Sequence, residues 1–232
     1  MKHAKSPTSV KILLVVTALI AGGLWYAFQD VRTTWKGVPP PPTPGSVVSG
    51  ALGDAQLGYR MSGLTLQHLG DEGGISTPLT DYDYPRLIEW MEAMYTLDPR
   101  SDFVPMLAAY YFGATPDADD AMRIVDFLEV VGNDPEGEKW RWLAQAVFLA
   151  RYKGEDTDRA LDLAQKMAAL YEKKGGGMPL WTLQMPAFIL AAQGENTAAR
   201  DLLQTILETT PNLSANEVNF LENRIRTLPK NF

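Results

Sequence analysis

The residue types that most often carry catalysis or bind metal ions are scarce in this chain. Among 232 residues there is no cysteine, and histidine occurs only as His3 and His68. The sequence therefore excludes thiol nucleophiles, cysteine-ligated metals and disulfide bonds, and it disfavours histidine-rich metal sites and Ser-His-Asp triads. His68 lies beside Leu66 and Leu69 in a predicted helix, which favours a surface or core-edge position over a role as catalytic base.

Carboxylates are more numerous, but their clusters lack the spacing of known sites. A predicted loop over residues 70–83 combines acidic residues with glycines, yet it lacks EF-hand spacing, so calcium binding stays an alternative there. The HExxH, GxSxG, GxGxxG and phosphate-binding GxxxxGKS/T motifs are also missing. A further acidic group precedes a predicted helix and is interpreted as compensation of its N-terminal dipole. This group consists of Asp117, Asp119 and Asp120.

The residue types and motifs together argue against an enzyme. From the sequence we predict no catalytic residue, no metal site and no cofactor. An α-solenoid enzyme that cleaves envelope glycans stays as an alternative. It requires two acidic side chains facing one cleft, one of them with a raised pKa.

Charge is distributed unevenly along the chain. Lys2, Lys5 and Lys11 are the only charged residues among the first eleven, whereas the remainder holds 18 basic and 28 acidic residues, a net charge of −10. Nucleic-acid binding requires a basic face that displaces counterions from phosphates. The acidic body therefore predicts no nucleic-acid partner, and it also argues against peripheral docking on anionic lipid.

An uncharged apolar stretch predicts a transmembrane anchor over residues 12–29. The run from Ile12 to Phe28 spans roughly 25 Å as a helix, which approaches the thickness of a bilayer core. A cleaved signal peptide is the alternative, but apolar residues continue after the small residues Ala21 to Gly23. The side chains assigned to the anchor are Ile12, Leu13, Leu14, Leu19, Leu24, Trp25, Tyr26 and Phe28.

Positive charge predicts the orientation of this anchor. The three lysines make residues 1–11 a cytoplasmic tail under the positive-inside rule, although Arg32 and Lys36 follow the anchor closely. The acidic body is then expected on the outer side of a bacterial inner membrane, in the periplasm.

Residues 30–53 are predicted to form a proline-rich linker. The consecutive prolines from Pro39 to Pro42 favour a polyproline II conformation, which acts as a semi-rigid spacer. A ligand for an SH3-like module is the alternative interpretation. The position of this segment between an anchor and a helical body favours the spacer.

The body, residues 54–232, repeats one helical pattern. Leu87, Ala121, Ala160 and Ala199 lie 34, 39 and 39 residues apart, and each is followed by apolar residues three, four and seven positions later. This spacing places the apolar side chains on one face of a helix, and its recurrence indicates a repeat architecture.

A second series of helices alternates with the first. Phe103, Trp140 and Trp181 each open a helix, so the predicted unit is helix, tight turn, helix. The predicted fold class is therefore an all-α helix-turn-helix solenoid preceded by a single transmembrane helix. The glycines expected to provide left-handed C-caps are Gly113, Gly154 and Gly194.

This spacing, with its order of large aromatic, small residue, alanine and proline, resembles the tetratricopeptide repeat. The segments 95–99 and 208–211 look like the ends of second helices in that family. The resemblance covers about residues 84–211, and more weakly 54–69, and it implies about three to four degenerate repeats. The period exceeds 34 residues and the leucine-glycine pair of the first helix is only partly present. An unrelated solenoid of helix pairs is the alternative.

The resemblance implies a groove, lined by the first helices, that holds an extended peptide or a partner helix. The expected function is a membrane-anchored scaffold that binds protein, as an assembly factor or accessory subunit of an inner-membrane complex. In the alternative, the transmembrane helix of a single-pass accessory subunit makes the main contact.

Trp142 lies off the apolar stripe of its helix and is interpreted as a surface contact. The residues assigned to the groove by register are Val104, Ala108, Tyr111, Arg141, Gln145, Phe148 and Thr182, of which Arg141 can pair with a carboxylate.

Overall fold

The computed structural model describes residues 8–29, 39–68 and 76–229, and within these ranges it contains helices and no strand. The all-α prediction is confirmed for this part of the chain. Two short 3₁₀ turns, Leu79–Asp81 and Phe112–Ala114, accompany the α-helices. The α-helices are α1 (Thr8–Phe28), α2 (Pro44–Gly50), α3 (Ala55–His68), α4 (Tyr84–Leu97), α5 (Phe103–Tyr110), α6 (Ala118–Gly132), α7 (Trp140–Tyr152), α8 (Thr157–Lys173), α9 (Trp181–Ala192), α10 (Asn196–Thr209) and α11 (Ala215–Thr227).

From α2 onward the helices pack in chain order. Each helix contacts the next one, and in the first half of the body α2, α3, α4 and α5 also contact the helix two places further along. This arrangement is compatible with a helical repeat, in which a unit buries its apolar face mainly against its neighbours. The pairs α3–α4, α5–α6, α7–α8 and α9–α10 correspond to the helix pairs expected from the sequence.

The repeated apolar stripe forms the core, as its spacing predicts. The stripe residues of α4, α6, α8 and α10 are buried except Trp90 and Leu202, which are half-buried. Several of the predicted helix starts are also present. Asp156 accepts the backbone N–H of Arg159 at 2.8 Å, and Ser214 and Glu217 form a capping box at the start of α11.

The glycine prediction is only partly correct. Gly194 has a φ of +87°, whereas after α7 the left-handed residue is Glu155, with a φ of +52°, rather than Gly154. Gly154 instead lies against α6, where an added Cβ would be 2.3 Å from the Sδ atom of Met122 and would force that flexible side chain to move. Gly113 likewise meets a neighbour, Leu149, and is not left-handed. Two of the three glycines thus lie against side chains of a neighbouring helix rather than serving as left-handed caps.

Helix α1 is long and apolar enough to cross a membrane. Its segment Val10–Phe28 has 19 residues and a mean hydropathy of 1.9, and none of it is buried. This agrees with the predicted anchor over residues 12–29. A signal sequence has the same length and composition, so the helix itself supports both interpretations.

The folded body begins earlier than the predicted boundary at residue 54. The indole Nε1 of Trp90 donates a hydrogen bond to the carbonyl oxygen of Pro39 at 3.1 Å, so the proline run lies on α4. Helix α2 follows, capped by Thr43, and packs on α3 and α4. Residues 39–53, predicted as linker, therefore belong to the body. The rest of the predicted linker, residues 30–38, lies outside the described residues, as do residues 1–7 of the tail and residues 69–75 of the long loop.

Candidate functional site

The structure divides the predicted groove residues into buried and exposed groups. Val104, Ala108 and Thr182 are fully buried and line no open surface, which corrects their assignment. The reason is that α5 is short and is enclosed by α3, α4, α6 and α7, so only a narrow strip of it reaches solvent. Thr182 lies in the first turn of α9, where its hydroxyl donates to the carbonyl of Pro179 at 2.7 Å.

Three of the other four predicted groove residues share one face of α7, and the fourth, Tyr111, follows α5. Arg141 and Phe148 are exposed and Gln145 is half-buried, and all three lie on a line at spacings of four and three residues. Tyr152 extends this line by one turn and is 56% exposed. Helical spacing of i, i+4, i+7 and i+11 keeps the four side chains on the same side of the helix.

The neighbouring helix α5 exposes a second apolar strip. Met106 and Tyr110 lie four residues apart on it and are 42% and 62% exposed, and Tyr111 follows at 38%. The rings of Tyr110 and Trp142 contact edge to face, with centroids 6.3 Å apart, so α5 and α7 meet at this surface. The apolar period that begins at Phe103 predicts Met106 and Tyr110 on the packed stripe of α5, so the sequence did not predict their exposure. The surface is called the α5–α7 stripe and consists of Met106, Tyr110, Phe148 and Tyr152.

Two arginines lie beside the α5–α7 stripe. Arg141 forms an exposed ion pair with Glu138 of the same helix, and the guanidinium of Arg151 lies 4.8 Å from the ring centre of Tyr152. An exposed ion pair of this kind contributes about 0–1 kcal/mol to stability. Arg141 can therefore exchange its partner for the carboxylate of another molecule at small cost.

A polar cluster at the start of α7 connects this helix to the residues just before α5. The Lys139 side chain is almost buried, at 7% exposure, and its ammonium donates at 2.7 Å to the carboxylate of Asp102, whose side chain is 60% exposed. Trp142 donates its indole N–H to the same carboxylate oxygen at 2.9 Å. Burial raises the pKa of Asp102, but the hydrogen bonds from Lys139 and Trp142 outweigh burial and leave that pKa below its ordinary value.

Trp142 is therefore a core residue, and its interpretation as a surface contact is wrong. It is 8% exposed and packs within the main core. A sequence pattern cannot show this, because its partner Asp102 is 40 residues away.

A cleft of about 670 Å³ opens between α3 and the start of α5. Its polar groups already pair with each other: the Tyr59 hydroxyl donates to Ser101 Oγ at 2.8 Å, and Gln56 donates to Asp98 at 2.9 Å. Burial is the main cause that raises the pKa of Tyr59. The cleft thus offers Leu64 and ring surfaces to a ligand, together with the guanidinium of Arg60.

The acidic residues do not assemble into a metal site within the described ranges. No group of three or more His, Cys, Asp or Glu side chains there could hold a metal ion. Asp117 instead caps α6, accepting the backbone N–H of Asp120 at 3.0 Å, as the dipole interpretation predicts. Burial, followed by the neighbouring charge of Asp117, raises the pKa of Asp120 above its ordinary value.

Comparisons with protein-family models, with curated proteins and with solved structures each gave no match. The features of this chain that bear on function are therefore the exposed α5–α7 stripe and the apolar helix α1.

Proposed function

We propose that the protein is a membrane-anchored scaffold of tetratricopeptide-like helix pairs that binds another protein through the α5–α7 stripe. The observation that carries this proposal is the exposure of aromatic side chains on two adjacent first helices. Tyr110, Phe148 and Tyr152 are each more than half exposed. Aromatic residues are enriched at protein interfaces because they provide a large apolar area at low conformational cost.

The chemistry of the stripe indicates what kind of segment would bind. Apolar side chains of a partner helix or extended chain would cover Met106, Tyr110 and Phe148. Arg141 at the edge would pair with a carboxylate of that segment, since its present partner is an exposed residue of its own helix. The partner is accordingly proposed to be a protein with an amphipathic acidic segment, in a complex of a bacterial inner membrane.

The location rests on α1 and on charge. Helix α1 would cross the inner membrane with residues 1–11 in the cytoplasm and the body in the periplasm, since Lys2, Lys5 and Lys11 precede the helix. In this role the protein would serve as an assembly factor or an accessory subunit and would perform no catalysis itself.

The test is site-specific photo-crosslinking of the full chain in native membranes. A crosslinker at position 148 is expected to capture one protein, and Tyr110→Glu in the same chain is expected to weaken the association roughly 30-fold, as for a hot spot of about 2 kcal/mol. Val130 on α6 is the matched control, because it is 64% exposed and lies on a second helix. Equal retention of the partner by Tyr110→Glu and Val130→Glu would place the interface elsewhere.

A second candidate places the main contact in the membrane. Gly22 and Gly23 of α1 have no atom within 4 Å of a built Cβ, so a partner helix could approach closely there. Exchange of residues 10–30 for an unrelated anchor separates the two candidates. Loss of the crosslinked partner after this exchange, with Tyr110→Glu having no effect, would favour the membrane contact.

A further inference from the structure

Helix α3 presents apolar side chains on the face opposite the core. Tyr59, Gly63 and Leu66 point into the body and are buried. The opposite face carries three apolar residues at spacings of four and three, so they form one continuous strip. They are Leu57, Met61 and Leu64, which are 43%, 55% and 56% exposed.

A fourth apolar residue precedes this strip. Leu52 lies in the turn between α2 and α3, is 96% exposed and has a φ of +57°. A bulky non-glycine residue in the left-handed region is unusual and carries strain, which a glycine or asparagine would relieve. The α3 strip is defined here as Leu52, Leu57, Met61 and Leu64.

The segment that carries the α3 strip has little charge of its own. Between residues 39 and 68 there is one acidic residue, Asp54, and one arginine, Arg60, whereas the chain as a whole has a net charge of −7. Asp54 caps α3 by accepting the backbone N–H groups of Gln56 and Leu57, at 2.9 and 3.1 Å. An anionic bilayer repels the acidic parts of the body and admits this nearly neutral segment. Residues 175–194 carry no charged side chain either, so the tether, and not charge alone, distinguishes the α3 strip.

The length of the tether keeps the α3 strip close to the membrane. The hydrogen bond from Trp90 holds Pro39 on the body, so nine residues, 30–38, separate it from the end of the described α1 segment at residue 29. Fully extended, this separation spans at most roughly 35 Å. Helices α2 and α3 follow Pro39 directly and are the first helices after the tether.

We propose that the α3 strip lies in the interface of the lipid bilayer and fixes the orientation of the body on the membrane surface. This inference rests on the anchor in the proposed function, and its occupant is lipid. Leucine and methionine side chains insert at the boundary between headgroups and acyl chains, about 5–10 Å deep. The contact itself is apolar, so it also forms on a zwitterionic bilayer; only the repulsion of the acidic parts of the body depends on anionic lipid and on salt.

The absence of cysteine allows a direct test with single labels on the full chain. Met61→Cys, labelled with an environment-sensitive fluorophore, reports on the α3 strip, and Leu19→Cys in the middle of α1 reports separately on the anchor. Val130→Cys is the control, because Val130 is 64% exposed on α6. The protein is reconstituted in phosphatidylcholine vesicles that contain lipids with a quencher on the acyl chain.

The expected result is quenching at positions 19 and 61 with no more than background quenching at position 130. Quenching at position 61 is expected to be about threefold stronger than at 130, because the strip lies within the headgroup boundary. A further Leu64→Glu substitution is expected to abolish the signal at position 61. Because Leu64 is exposed, this change leaves the core intact.

Two results would overturn the proposal in distinguishable ways. Quenching at position 19 without quenching at position 61 leaves the anchor in place and excludes the lipid contact. If position 61 is then shielded from a water-soluble quencher, the α3 strip is covered by protein, which also contradicts the proposal. No quenching at position 19 would contradict both the anchor and the contact that depends on it.

Discussion

Lys139 shows how a single charged residue can hold two helices in register. Its ammonium donates to the carbonyls of Arg100 and Ser101, at 3.1 and 3.0 Å, and to the carboxylate of Asp102. We expect Lys139→Met to lower the free energy of unfolding by about 1–3 kcal/mol, because two backbone carbonyls lose their donor and the 60% exposed carboxylate of Asp102 loses its ion pair. Urea denaturation measures this loss.

A matched control lies two residues further along. Arg141→Met removes only an exposed ion pair with Glu138, so a change within about 0.5 kcal/mol is expected. If Lys139→Met and Arg141→Met lowered the free energy of unfolding equally, the contacts of Lys139 would stabilise the protein no more than an exposed ion pair does.

Tyr84 provides a prediction about alkaline pH. Its side chain is fully buried, its hydroxyl donates to the carbonyl of Phe112 at 2.9 Å, and burial raises its pKa from 10.0 to about 12. A raised pKa favours the protonated form in the folded state, so its stabilisation is complete below pH 10 and is lost as pH rises towards 12.

The comparison of wild type with Tyr84→Phe isolates this residue. At pH 7 the variant is expected to be less stable by about 1–3 kcal/mol, because the Phe112 carbonyl loses its donor. Between pH 10 and 12 the difference should shrink by up to about 3 kcal/mol, because the folded protein holds this proton about two pKa units more tightly than the unfolded chain. A difference independent of pH, in chemical denaturation series, would show that Tyr84 ionises as freely in the folded protein as in the unfolded one.

At the scale of helices, Gly132 determines how closely α6 and α7 pack. A Cβ built there would lie 2.3 Å from the backbone nitrogen of Leu143, and backbone atoms cannot move aside as a side-chain tip can. We expect Gly132→Ala to destabilise the protein by about 3 kcal/mol or more, because α7 must shift. Gly50→Ala is the control, since nothing lies within 4 Å of its built Cβ. Similar melting temperatures for both variants would mean that the two helices separate easily.

Trp90 links the proline run to the body. Trp90→Phe keeps an aromatic ring but removes the donor to the Pro39 carbonyl. Loss of one hydrogen bond of about 1 kcal/mol corresponds to roughly fivefold faster local opening. Hydrogen exchange at the amides of Val47 and Ala51 in and after α2 measures this opening. Unchanged exchange there would show that the contacts of α2 with α3 and α4 hold it without this hydrogen bond.

Helix positions and most helix starts follow from local sequence, whereas the exposed faces do not. The stripes of α4, α6, α8 and α10 repeat with fixed spacing, so their burial could be predicted. The exposed face of α5 could not be predicted in this way, because all of its faces are apolar and four helices enclose it. The docking of Pro39 on Trp90 depends on residues 51 positions apart, which no local pattern reveals.

At the scale of the whole molecule, the buried hydrophobic residues within the described ranges form two clusters. The larger one extends from α3 to α8 and includes Ile189 of α9, and the smaller one joins α9, α10 and α11. Helix α9 contributes to both, with Ala187 and Ile189 on different sides. The repeat pattern predicts a chain of similar units but gives no sign that the packing divides at α9.

This division predicts that the C-terminal helices unfold before the rest. Leu221 is fully buried in the smaller cluster, and Arg200 donates to the carbonyls of Leu228 and Pro229 at 3.0 Å each, which holds the end of α11 on α10. Leu221→Ala should cost about 2–5 kcal/mol and accelerate hydrogen exchange in α10 and α11 while α6 and α7 keep their protection, since helical repeats interact mainly with their neighbours. Leu143→Ala, in the larger cluster, should instead accelerate exchange from α5 to α8. Uniform acceleration of all helices by Leu221→Ala would show that both clusters unfold as one cooperative unit.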